Sequence, residues 1–85
     1  MITYSGVTSE EMDHFRAGIL AQYPAAPDLR AEQVGPIPIE YDCELFWTLA
    51  GSALMVTIRG ASVSLQTVAR RVKLLVKACT GHVPG

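Results

Sequence analysis

Every second position from Ile37 to Leu49 carries a large apolar side chain or a cysteine: Ile37, Ile39, Tyr41, Cys43, Leu45, Trp47 and Leu49. Pro38, Glu40, Asp42, Glu44, Phe46 and Thr48 fill the positions between. A strand sends successive side chains to opposite faces, so this period of two predicts a strand over 37–49 with a greasy inner face and an acidic outer one. The parity resumes after Gly51–Ser52, where Leu54, Val56 and Ile58 alternate with Ala53, Met55, Thr57 and Arg59. A two-residue connection opening with glycine fits a type II′ turn. The resulting 37–49/53–59 hairpin pairs Leu49 with Leu54, Trp47 with Val56, Leu45 with Ile58 and Glu44 with Arg59.

Two stretches carry the longer period of a helix. In residues 9–23, Met12, Phe15, Ile19, Leu20 and Tyr23 share one arc while Glu10 and Asp13 lie opposite. Thr8 followed three residues later by Glu11 has the spacing of a capping box, and Pro24 ends the run. Residues 63–79 form the second helix, with Leu65, Val68, Val72, Leu75, Val76 and Cys79 as its buried stripe. Ser62 or Ser64 is its expected cap, and Gly81 fits the position just past its end. Arg16 falls inside the apolar arc of the first helix and is expected to pair with a carboxylate such as Glu40 or to reach out from the rim.

A short strand over residues 2–5 and a weak one over 29–34 complete the set. Pro36 and Pro38 cannot donate to a ladder and therefore place the 37–49 strand, or at least its first residues, at a sheet edge. One sheet with a single apolar face and two amphipathic helices make a two-layer α+β sandwich, with both helices on one side of the sheet. The stretch α-β-β-β-α within this order is similar to that of double-stranded-RNA-binding modules. The last helix opens with "SVSLQTVARR", however, without the lysine-rich start those modules set against phosphates, and no family is assigned.

With 85 residues the chain is one small domain, and 49% apolar content supplies its core. The start "MITYSGV" lacks the basic and apolar regions of a signal peptide. The longest uncharged run, Leu45 to Ile58, is shorter than the roughly 20 residues a bilayer crossing needs. Cys43 and Cys79 have no CxxC spacing and read as buried free thiols, which fits a reducing, cytoplasmic setting.

Charge is unevenly spread. All eight acids and two arginines precede residue 45, whereas five bases and no acid follow it, so the halves carry −6 and +5 within a net charge of −1. This division marks either internal pairing or two distinct surfaces.

The chemistry of catalysis is missing its partners. His14 and His82 have no Cys, Asp or Glu at metal-ligand spacing, so no metal site is expected. Cys43 faces the core among acidic strand neighbours, the serines occupy turns and caps, and the glycines are too scattered for a phosphate loop. No cofactor, small-molecule substrate or enzymatic activity is expected.

Two functional expectations remain. The first is a non-catalytic protein-interaction module: a small adaptor, assembly factor or inhibitor of the kind encoded on phages and mobile elements. It would bind another protein or a second copy of itself through an outer sheet face carrying Glu40, Asp42, Glu44, Phe46, Met55 and Arg59. The second is nucleic-acid binding through Arg70, Arg71, Lys73 and Lys77 on the last helix, although a pI near 6.0 is low for such modules.

Overall fold

The computed structural model describes residues 1–26 and 28–84. Its elements run β1 (Ile2–Tyr4), α1 (Ser9–Gln22), β2 (Gln33–Pro38), a 3-10 turn (Glu40–Asp42), β3 (Glu44–Ala50), β4 (Ala53–Arg59) and α2 (Ser62–Thr80). The four strands form one antiparallel sheet in the order β1-β4-β3-β2. The two-layer α+β architecture expected from the alternating and helical patterns is the one observed.

The β3–β4 hairpin has the register that side-chain parity requires. Leu49 lies opposite Leu54, Trp47 opposite Val56, Leu45 opposite Ile58 and Glu44 opposite Arg59. Gly51 takes φ +61°, as the first central residue of a type II′ turn must. β1 adds Ile2 and Tyr4 to the same inner face, opposite Val56 and Leu54.

Both helices cover that face. Met12, Phe15 and Ile19 of α1 and Val68, Val72 and Val76 of α2 are buried together with Tyr4, Leu45, Trp47, Leu54 and Val56. Each large apolar side chain removed from water this way stabilises the fold by about 1.5–3 kcal/mol. Phe15 meets Trp47 edge-on, with ring centroids 4.9 Å apart. The helices run antiparallel, because Gly18 packs on Leu75 and Cys79 while Glu11 reaches His82. At Gly18 a Cβ would fall 2.6 Å from the Cys79 sulfur, so the close helix crossing depends on a residue without a side chain.

Several local expectations change. Residues 37–49 are not one strand. Ile37 and Pro38 end β2, and the chain turns back at Glu40–Asp42 so that Ile37 faces Leu45 and Pro38 faces Glu44. The corner is made by two consecutive left-handed residues, Tyr41 (φ +56°) and Asp42 (φ +59°). It is closed by the Ile39 N–H donating to the Cys43 carbonyl and the Cys43 N–H donating to the Glu40 carbonyl, both at 3.0 Å. The strand expected over 29–34 is displaced to 33–38 and takes in both prolines; it is the edge strand, whereas β3, the body of the strand expected over 37–49, lies inside the sheet between β2 and β4. Residues 59–61 lead directly into α2, whose N-cap is Ala61 with no side-chain bond, not Ser62 or Ser64.

Arg16 does not pair with Glu40. Its Nε donates to the Leu29 carbonyl at 2.9 Å, and its Nη1 lies 3.5 Å from Asp13, one turn earlier on the same helix. Leu20, expected in the core, is half exposed. The capping box at Thr8 and Glu11 and the left-handed Gly81 after α2 stand as the residues imply.

Candidate interaction site on the uncovered sheet face

Since α1 and α2 occupy one side of the sheet, the side chains of opposite parity lie on the other. Strand register arranges them in rows across the sheet. Thr3, Met55, Thr48 and Gln33 form one row; Thr57 and Phe46 lie in the next; Arg59, Glu44 and Pro38 form a third. Phe46, Thr48, Met55 and Thr57 are half-buried by their neighbours.

Phe46 is the best-held side chain of this face. The Arg59 guanidinium lies over its ring, 4.7 Å from the centroid. On the other side the ring rests against Gly35, where a Cβ would come within 2.6 Å of Phe46 Cδ1 and 2.9 Å of the Leu45 carbonyl oxygen. Gly35 also has φ +132°, a conformation that L side chains avoid, and it sits in the register shift between Val34 and Ile37. The irregularity in β2 therefore opens the seat in which the phenylalanine lies. A shallow depression of about 410 Å³ beside it is lined by Gln33, Gly35, Phe46 and Thr48.

Of the six residues expected to form the surface, the structure gathers four: Glu44, Phe46, Met55 and Arg59. Glu40 and Asp42 are not on it. The left-handed corner carries them off the sheet, and Glu40 turns toward the helical layer, where it accepts a hydrogen bond from Arg71 Nη1. The face is thus not the acidic stripe expected from parity. It is a mixed apolar and threonine-rich surface with one acid and one base.

The four basic residues of α2 are also separated. Arg70, Lys73 and Lys77 are exposed and make no ion pair among the described residues. Arg71 projects to a different side of the helix, bound to Glu40, with its guanidinium 5.7 Å from the centre of the Tyr41 ring. The hydrogen bond to Glu40 holds the Arg71 guanidinium even more firmly protonated than usual, with the Glu40 charge and Tyr41 adding to the effect. Nearby, burial pushes the Tyr23 hydroxyl pKa up; the Glu40 carboxylate adds to this and Arg71 opposes it.

Arg71, Glu40, Tyr23, Gln22, Leu74, Leu75 and Val72 line a hollow of about 160 Å³ between the helices and the corner. Tyr41 and Leu74 stand exposed near it, at 59% and 62%. Period counting missed the Tyr41 side of this region by assigning Tyr41 to the core face. The available signal was the stranded Leu74, a leucine on a helix face otherwise occupied by bases.

The residue types suited to covalent or metal chemistry stay apart. Among the described residues no three His, Cys, Asp or Glu side chains come together to hold a metal ion. Cys43 is buried against Gly60, and burial pushes the Cys79 thiol pKa up, away from a reactive thiolate. His82 bonds Glu11 at 2.8 Å, joining the end of α2 to the start of α1. Among the described residues no helix is long and apolar enough to cross a membrane. In comparison with known proteins, the chain matches no family model and has no significant match to a curated protein or a solved structure.

Proposed function

We propose that this chain is a non-catalytic interaction module whose uncovered sheet face associates with the same face of a second copy. The carrying observation is the one-sided covering of the sheet: both helices pack on one face, while the other presents Phe46 and Met55 beside Arg59 and Glu44. Aromatic, methionine and arginine side chains at the centre of a patch are what protein interfaces favour.

Charge selects the occupant. Glu44 and Arg59 lie side by side on neighbouring strands, so a two-fold axis lying between the two sheets and running along the β3–β4 seam would set each against the opposite charge of the partner. A face with no net charge offers little steering to a strongly charged foreign surface. Stacking two such sheets about 10 Å apart gives an α/β/β/α arrangement with the helices outermost.

Area sets the strength. Strands of three, six, seven and seven residues, at about 3.3 Å per residue and about 4.8 Å apart, give a face of roughly 360 Å². That is about half the 800 Å² per partner of a standard interface, so association is expected to be reversible and concentration-dependent. The test is the mass by light scattering across a dilution series, for the natural chain and for the double variant Phe46→Asp, Met55→Asp. A dimer that the variant abolishes, while the variant still unfolds cooperatively as a monomer, supports the proposal. A monomer at every concentration removes the second copy as occupant. A variant that fails to fold identifies the face as structural core, and the proposal fails with it.

A further inference from the structure

The outward side of α2 is a second surface with a different chemistry. Leu74 is 62% exposed, and at helical spacing its neighbours are Arg70 and Arg71 one turn before and Lys77 and Ala78 one turn after, with Lys73 adjacent. The helix contains four bases and no acid, and Arg71 alone of the four has an ion-pair partner among the described residues. Arg70, Lys73 and Lys77 stand three and four residues apart along this face, spacings at which like charges disfavour a helix, and Leu74 exposes its apolar side chain beside them. Beside it lies the hollow lined by Tyr23, Leu74 and Leu75, rimmed by Gln22, Glu40 and Arg71.

Size restricts what can enter. At about 160 Å³ the hollow is well below the 300–1,000 Å³ of small-molecule sites. It is close to the 150 Å³ of a cavity that holds benzene. One phenylalanine or leucine side chain fits. The three unpaired bases lie together on the side of Leu74 away from the hollow, so a chain carrying this anchor would meet Arg70, Lys73 and Lys77 with acidic side chains on the flank that crosses Leu74.

We propose that the outer face of α2 docks an acidic segment of another protein, which inserts one large apolar side chain into the hollow between Tyr23, Leu74 and Leu75. A nucleic acid would satisfy the bases but has no use for Leu74 or for an apolar hollow, so the protein segment is the better fit. In the dimer described above the two α2 faces lie outermost and free. The docking site is complete within one chain, however, and does not depend on that dimer.

The probe is a synthetic acidic helical peptide of about 16 residues with glutamates flanking a central phenylalanine. It is compared by fluorescence anisotropy with the same peptide carrying glutamine in place of phenylalanine, and with a DNA duplex of about 20 base pairs. The phenylalanine peptide is expected to bind at low salt and the glutamine peptide at least about tenfold more weakly. Leu74→Ser should erase most of that difference, and Lys73→Glu with Lys77→Glu should weaken the phenylalanine peptide further and flatten its salt dependence. Because these side chains are exposed, the variants should keep the natural unfolding midpoint. Equal affinity for the two peptides, or tighter binding of the duplex, would reduce the surface to a polyanion patch and overturn the proposal, as would the absence of binding by the phenylalanine peptide.

Discussion

Tyr4 and Trp47 each bury a polar atom that finds no hydrogen-bond partner among the described residues, the phenolic oxygen of one and Nε1 of the other. Burial also pushes the Tyr4 hydroxyl pKa up. An unmet buried hydroxyl costs about 1–3 kcal/mol of desolvation. Tyr4→Phe, which keeps the ring and removes the hydroxyl, is therefore expected to leave stability unchanged or raise it by about 1 kcal/mol in urea unfolding. Glu11 works in the opposite sense. Its carboxyl accepts the Thr8 N–H at 2.8 Å, and this bond chiefly holds its pKa below the ordinary range, against a smaller opposing effect of burial. The Thr8 hydroxyl and His82 add to the lowering. A carboxylate depressed by folding contributes stability that is complete above the unfolded range, near pH 4.3, and is lost as pH falls through the folded value. Glu11→Gln should lower the urea midpoint at pH 6, with the gap to the natural chain closing toward pH 3. The Thr8–Glu11 pair was legible because its cue is local. The partners of Arg16 were not, since the Leu29 carbonyl reaches it only after the following loop has folded back.

Between elements, spacing carried most of the information and failed at one corner. The β3–β4 register follows from parity and the Gly51–Ser52 turn, both written between Glu44 and Arg59. The turn at Glu40–Asp42 was hidden because its apolar and polar residues keep alternating straight through it. Nothing in a period of two reports that Tyr41 and Asp42 take left-handed angles. What holds the corner comes from afar in the chain: Arg71 on Glu40, and Gly60, where a Cβ would meet the Cys43 sulfur at 2.5 Å. Gly60→Ala is expected to destabilise by about 1–3 kcal/mol through this overpacking. The start of α2 offers a change of the other sign. Ala61 already has the extended angles of an N-cap but no side chain that can accept an N–H, so Ala61→Asp should stabilise by about 1 kcal/mol in the same assay.

For the molecule as a whole, the split of charge between the two halves resolves into one internal tie and two unlike surfaces. Glu40–Arg71 joins the acidic half to the basic half across the helical layer. The remaining bases of α2 point outward beside Leu74, and the sheet face keeps only Glu44 and Arg59. The sandwich and the position of Phe46 and Met55 on its open side were readable in advance, because they need only a strand's parity. The charge of that side was not, because it turned on where one strand ends. The methionines allow the face to be watched directly: Met12 lies in the core and Met55 on the open sheet. With ε-¹³C-labelled methionine, the Met55 methyl resonance should move or broaden as protein concentration rises, while the Met12 resonance stays fixed. A Met55 signal indifferent to concentration up to the millimolar range would contradict association through the sheet, whatever else the protein binds.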